Sequence, residues 1–492
     1  MDSAKHLVGN GQHIPQSKSS SKSSLSSPLF GSSKSIDSPS IIRDPLELVG
    51  KELSSLRSNV SNLLGSGHPS LDSIAKYYFQ AEGKHIRPLI VLLMARATNG
   101  LSPLWPELQS RANSCAKRQD DQTVEIENEM GIDEPLSPRE VLNDFNPHME
   151  SIEGSLNGSN SMQSVTSDLT SLTGSATEIT ILPTQRRLAE ITEMIHVASL
   201  LHDDVIDASS LRRGSPSAPA AFGNKLSILG GDFLLGRASV ALARLRDNEV
   251  VELLATVIAN LVEGEVMQLR SQVNNGSTST APRKSVFNSF WTAEDPSTKG
   301  NSHSAEGPSA DVFEHYLQKT YLKTAALIGK SARAATILGG FGSDAIAKGG
   351  FGTEVVATSQ IIRDAAYSYG RNLGIAFQLV DDLLDFQSTS ASFGKPSGGA
   401  DLRLGLATAP VLYAWQEFPT EGLGEMVTRK FEGPGDVEKA LEIVRRSNGL
   451  ERTKELARHH AQLAQDALFK LPASEARDAL ANLNQQVITR VK

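Results

Sequence analysis

Apolar residues recur at three- and four-residue intervals along most of the chain, broken by three polar stretches. In ILPTQRRLAEITEMIHVASLLHDDVID, Ile181 to Asp207, Leu188, Ile191, Ile195, Ala198 and Leu201 share one helical face. Pro183 and Thr184 supply a start signal for that helix. EVVELLATVIANLVEGEVMQL (Glu249–Leu269) and YGRNLGIAFQLVDDLLDF (Tyr369–Phe386) repeat the period. These segments are apolar over more than one stripe, as the central helices of a large bundle must be. No alternating strand-and-turn series occurs, so the expected fold class is all-α.

The polar stretches divide the chain. Residues 1–45 are Ser-rich, as in SKSSSKSSLSS from Ser17 to Ser27, and cannot build a core. Lys5, Lys18, Lys22, Lys34 and Arg43 outnumber Asp2, Asp37 and Asp44 there, a bias that suits a mitochondrial leader or a disordered cytosolic tail equally well. Residues 101–184 and 271–310 carry no sustained apolar period, and neither can bury enough apolar surface to offset its ordering entropy. Both read as insertions within one domain spanning 46–492, whose remaining length suits a single large unit.

Composition narrows the function. A net charge of −8 argues against a nucleic-acid partner, because phosphate backbones select clustered Lys and Arg. Cys115 alone can form neither an internal disulfide nor a multi-cysteine zinc site. No uninterrupted apolar run reaches the ~20 residues of a membrane span, so the chain is expected to be at most peripheral to a membrane.

Two acidic clusters interrupt apolar helical runs: Asp203, Asp204 and Asp207 in HDDVID, and Asp381, Asp382 and Asp385 in VDDLLD. Carboxylates three or four residues apart share a helical face and repel, so a helix gains nothing structural from them. A single such cluster is readily a solvated helix end, but two, each following an apolar helix, are harder to ascribe to chance. Oxygen-rich clusters suit hard Mg²⁺, whose remaining ligands come from water and substrate phosphates. No Gly-centred calcium loop accompanies them. Basic pairs stand in short settings of their own: Lys84 and Arg87 in EGKHIRP, Arg212 and Arg213 in LRRGSPS. Each alone would pass for a solvated face, yet Arg grips phosphate oxygens bidentately and Lys acts as a point charge.

With these motifs in place, the chain resembles the trans-prenyl diphosphate synthases, most closely the fungal long-chain enzymes that make the polyprenyl tail of ubiquinone. The similarity runs through EGKHIRP, EMIHVASLLHDDVIDASSLRRGSPS, GGDFLLGRASV, NLVEGEVMQL, YLKTAALIGKS, NLGIAFQLVDDLLDF and GKPSGGADLRLGLATAPVLYAW, in order. It implies a helical isoprenoid-synthase bundle with a central cavity, and Mg²⁺-dependent condensation of isopentenyl diphosphate with an allylic diphosphate. It also implies a mitochondrial location and a homodimer or a heteromer with a related subunit. By this resemblance Asp203, Asp207, Asp381 and Asp385 hold the metal, with Asp204 and Asp382 in the same clusters. Lys84, Arg87, His196 and Arg213 hold isopentenyl diphosphate. Arg212, Lys323, Thr324, Gln378 and Lys395 face the allylic diphosphate or its developing cation. One departure is Glu82, where the family commonly carries a second Gly before the lysine.

Product length should follow from what lines the first helix beneath its aspartates. Ala198 and Ser199 precede Asp203 by about one turn and are too small to plug a tunnel as Phe or Tyr would. That favours a long product. The alternatives are a short-chain geranylgeranyl diphosphate synthase and, in a different class, a non-catalytic subunit regulating a partner synthase.

Overall fold

The computed structural model describes residues 44–64, 68–80, 85–118, 180–212, 214–273, 307–387 and 398–490. The leader to residue 43, most of both expected insertions, and the predicted ligands Lys84, Arg213 and Lys395 lie outside the described residues.

Helix α1 (Pro45–Leu63) starts where the Asp44 carboxylate accepts the Leu46 N–H at 3.0 Å, with Pro45 in the first turn, where its missing N–H costs nothing. There follow α2 (Pro69–Gln80), α3 (Ile86–Thr98), α4 (Trp105–Arg118) and α5 (Pro183–Ile206). A two-residue ribbon pairs β1 (Leu211–Arg212) with β2 (Ser215–Pro216). Next come α6 (Ala218–Phe222), α7 (Asn224–Arg244), α8 (Asn248–Val273) and α9 (Ala310–Thr320). A π-helical turn, Tyr321–Ala325, leads into α10 (Ala326–Thr336), and a second, Ile337–Phe341, precedes α11 (Ser343–Lys348) and α12 (Thr353–Gln387). The chain finishes with α13 (Ala400–Arg403), α14 (Ala409–Glu417), α15 (Leu423–Thr428), α16 (Asp436–Arg446), α17 (Gly449–Leu468) and α18 (Glu475–Thr489).

The bundle is built around α3, α5, α10 and α12. Ten of the thirteen residues of α3 are buried, which is why its apolar run has no polar face. α5 packs on α3 and α7, while α12 packs on α10 and α17. Close approach of α10 and α12 depends on glycine. A Cβ at Gly370 would stand 2.8 Å from the Gly329 Cα, and one at Gly374 would stand 2.6 Å from the Ala325 Cα. Both contacts are with backbone, which cannot yield as a side-chain end can. Gly374→Ala is therefore expected to cost about 1–3 kcal/mol, read as a lower midpoint of urea unfolding; an unchanged midpoint would contradict the packing.

Four sequence expectations need revision. α4 lies inside the 101–184 stretch expected to be irregular: Leu104, Leu108 and Ala112 recur at four-residue steps, and Ala112 is 4% exposed. The helix packs against the turn at Ile337–Phe341, where Ser102 donates to the Gly340 carbonyl at 2.7 Å. At 271–310, helix continues to Val273 and resumes at Ala310. The β1–β2 ribbon is too short to show as alternation. Finally, α7 is long and apolar enough by length and composition to cross a membrane, with a window of mean hydropathy 1.4. Its Gly, Ala and Ser positions keep it from reading as an uninterrupted apolar run, and its inner face packs on α5 and α2.

Candidate active site

The carboxyl end of α5 presents Asp203 and Asp207 one turn apart, Asp207 capping the helix through its N–H to the Asp203 carbonyl at 2.8 Å. Burial pushes the Asp203 carboxyl up to about 7; Lys323 opposes the shift, and Glu265 and Asp207 add to it. Asp207 is raised for the same leading reason. Burial costs these carboxylates their charged form unless a cation compensates.

Asp204 faces the other way. It is fully buried, receives both Nε and Nη2 of Arg212 at 2.6–2.9 Å, and takes a very short hydrogen bond from the Tyr78 hydroxyl. Burial and this carboxylate push the Tyr78 hydroxyl up to about 12, so it remains a donor. The second cluster repeats the device. Asp382, 2% exposed on α12, accepts from the Tyr316 hydroxyl and, at 2.9 Å, from Gln378 Nε2. Burial pushes its carboxyl up to about 6. In each acidic motif the middle aspartate is thus a buried internal anchor, and the outer two are only partly buried. Spacing grouped all three together; the resemblance set the outer two apart as metal holders, and packing shows what engages the middle one.

Asp385 accepts from the backbone N–H groups of Ala400 (2.9 Å) and Asp401 (3.2 Å), tying the start of α13 to the second cluster. Asp401 itself is pushed up to about 7, by burial first and then by Asp382 and Asp385. Asp381 is raised by burial and held back by Arg490, which ion-pairs with it from beyond α18 and stacks 4.4 Å over Phe377.

α9 and the π-helical turn after it place two lysines between the clusters. Lys323 ion-pairs with Glu265 and donates to Gln268 at 3.2 Å, both on α8. Lys319 is lowered by burial, with Asp382, Asp401 and Glu265 within electrostatic reach. Thr324 donates to Gln378 Oε1 at 3.0 Å, which completes a relay Thr324–Gln378–Asp382–Tyr316. On the flank, Arg87 meets His196 Nε2 at 3.0 Å, and Arg87 also lies within electrostatic reach of Asp381.

Among the described residues, no three His, Cys, Asp or Glu side chains converge as a preassembled metal cage. What exists is an oxygen-only donor set of half-buried carboxylates whose nearby cations, Arg212 and Lys323, are engaged by Asp204 and Glu265. Such a set fits a hard divalent cation that brings water and phosphate oxygens as its other ligands.

The structure thus puts Lys323 within electrostatic reach of Asp203 and Asp207, links Thr324 through Gln378 to Asp382, and sets Arg87 near Asp381 and against His196. Ala198 is fully buried, and Ser199, half-buried, donates to the His196 carbonyl at 2.8 Å. Sequence reasoning missed Glu265, Gln268, Lys319 and Asp401. Their signal was a polar group interrupting an apolar helix or standing close to a recognised motif. It also missed Tyr78, Tyr316 and Arg490, which carry no local signal at all.

Residues 164–444 match the family described as polyprenyl synthetase. The chain is 46% identical over 460 residues to a probable hexaprenyl pyrophosphate synthase, mitochondrial, of Yarrowia lipolytica, covering 94% of this chain and 88% of the relative. It is 42% identical over 490 residues to the hexaprenyl pyrophosphate synthase, mitochondrial, of Saccharomyces cerevisiae, covering 96% of each. Decaprenyl-diphosphate synthase subunit 1 of Schizosaccharomyces pombe is 38% identical, over 92% of both chains. Among solved structures, a decaprenyl diphosphate synthase from Rhodobacter capsulatus superposes with a TM-score of 0.58 at 24% identity, covering 91% of this chain and 98% of that one. At that identity the likeness concerns the fold, and it is the all-α bundle expected from the hydrophobic pattern.

Proposed function

Because the chain belongs to the polyprenyl synthetase family, we propose that it is a long-chain trans-polyprenyl diphosphate synthase, adding isopentenyl diphosphate repeatedly to an allylic diphosphate. The observation that carries this reading is the two acidic motifs joined through neighbouring lysines, Lys323 within electrostatic reach of Asp203 and Asp207, and Lys319 of Asp382 and Lys323. Asp203, Asp207, Asp381 and Asp385 are the residues that would hold Mg²⁺. When bound there, Mg²⁺ would supply positive charge to offset the negative charge gathering on the departing diphosphate.

The chain's own residues do the rest. Asp204 holds the Arg212 guanidinium by a two-nitrogen grip, which aims a fixed positive charge without needing reorganisation during reaction. Lys323 adds a second charge beside Asp203. Arg87 and His196 form the subsite for the second diphosphate, with Lys84 and Arg213 joining them by the sequence match. Thr324 spends its proton on Gln378, leaving its oxygen lone pairs for the allylic cation. The departing diphosphate can take the proton lost after carbon–carbon bond formation, so no side-chain base is required. Water must be kept from the cation, and the buried Tyr–Asp anchors fix each cluster-bearing helix to a neighbour, α5 to α2 and α12 to α9.

The relatives named for mitochondrial hexaprenyl synthesis support a mitochondrial location and a role in the ubiquinone side chain. α7 and α8 also keep apolar side chains exposed, among them Leu229 at 55% and Val262 at 60%, a surface suited to a second subunit of the same or related sequence. The deciding experiment incubates the purified chain with Mg²⁺, farnesyl diphosphate and labelled isopentenyl diphosphate, then resolves products by chain length. Products of six or more isoprene units are expected, and EDTA should abolish them. Arrest at geranylgeranyl diphosphate would sink the long-chain reading, and turnover restored only by a partner chain would favour a heteromer.

A further inference from the structure

The first turn of α3 meets α5 at two successive points. His85, at the N-cap of α3, adopts φ 41°, a left-handed conformation costly for any residue with a Cβ. Its Nδ1 lies 2.9 Å from Glu193 Oε1, and its Nε2 accepts from Arg57 Nε at 3.3 Å. Acceptance at Nε2 leaves the proton of the neutral ring on Nδ1, so the ring donates to Glu193. Two residues further on, Arg87 makes its contact with His196. Glu193 and His196 are three residues apart on α5 and therefore share one face of the helix. His85, Glu193 and His196 line the same cavity of about 220 Å³. Glu193 is 7% exposed, and a buried carboxylate is tolerated only where it is paired.

We propose that His85 and Glu193 are positioning residues of the isopentenyl diphosphate subsite. Their contact pins the start of α3 in its left-handed turn and so sets Arg87 against His196. Arg57 fixes the tautomer that lets His85 donate. The inference rests on the subsite reading of Arg87 and His196 given above.

Steady-state kinetics of the full chain, varying each substrate in turn, test it. His85→Ala and Glu193→Ala are expected to raise KM for isopentenyl diphosphate about tenfold while KM for farnesyl diphosphate moves less than about twofold. Glu193→Gln keeps an oxygen to accept the Nδ1 proton and should retain a KM close to that of the unaltered chain. A misfolded fraction lowers the apparent kcat and leaves both KM values unchanged, so loss of folding cannot imitate this split. Equal rises in the two KM values, or a Gln variant as impaired as the Ala variant, overturn the inference. Arg87→Ala separates the two readings. If it raises KM for isopentenyl diphosphate and the His85 and Glu193 variants do not, only the positioning role falls. If it changes nothing, the subsite assignment falls and the positioning role with it.

Discussion

Asp203→Asn is expected to lower turnover by about 10²–10³-fold, the usual cost of removing one preorganised electrostatic contact at a developing charge. The amide keeps the shape and loses the charge that a divalent cation requires. Protein stability should move in the opposite direction under metal-free conditions. Burial holds the Asp203 carboxyl at about 7 in the folded chain, against ~3.9 when unfolded. Between those values the folded state binds more protons than the unfolded one, so stability falls as pH rises through that window. Asp382, at about 6, and Asp401, at about 7, act with the same sign. Calorimetry without metal should therefore show Tm falling from pH 5 to pH 8, and less steeply in Asp203→Asn. Adding Mg²⁺ with inorganic diphosphate should raise Tm more at pH 8 than at pH 5, because at the lower pH protons compete for the same oxygens. A metal effect independent of pH would remove Asp203 from the ligand set.

Ser199→Phe and Ala198→Phe are each expected to shorten the product, to fewer isoprene units than the unaltered chain makes. Ser199 stands one turn before Asp203 on the same face, where a growing tail would pass. Ala198 is rotated about 140° from Asp203 by helix geometry and is fully buried. Its replacement therefore also overpacks the core, at about 1–3 kcal/mol. Product chromatography beside thermal melts tells the two apart: Ser199→Phe should change length with little loss of Tm, and Ala198→Phe should change both. Full-length product from both variants would place the tunnel elsewhere.

The helical period of Ile181–Asp207 and Tyr369–Phe386 was legible because a buried helix must be apolar on several faces, and that demand is written residue by residue. The acidic motifs were legible for the complementary reason: charge inside an apolar run is unfavourable unless something compensates it. α4 was not legible, because its inner face is only a few residues wide and becomes an inner face only when the turn at Ile337–Phe341 lies against it.

Sequence alone determined that this chain is an all-α bundle carrying two carboxylate clusters and several short basic motifs. Tertiary structure decided which carboxylates are locked into the core. Asp204 and Asp382 look equivalent to their neighbours in HDDVID and VDDLLD, yet Tyr78 and Tyr316 claim them from helices distant in sequence. His85 likewise gains a task only when Glu193 is brought beside it. Periodicity reports which face of a helix is buried; which partner waits there depends on contacts 66 to 126 residues apart, and those exist only once the bundle has closed.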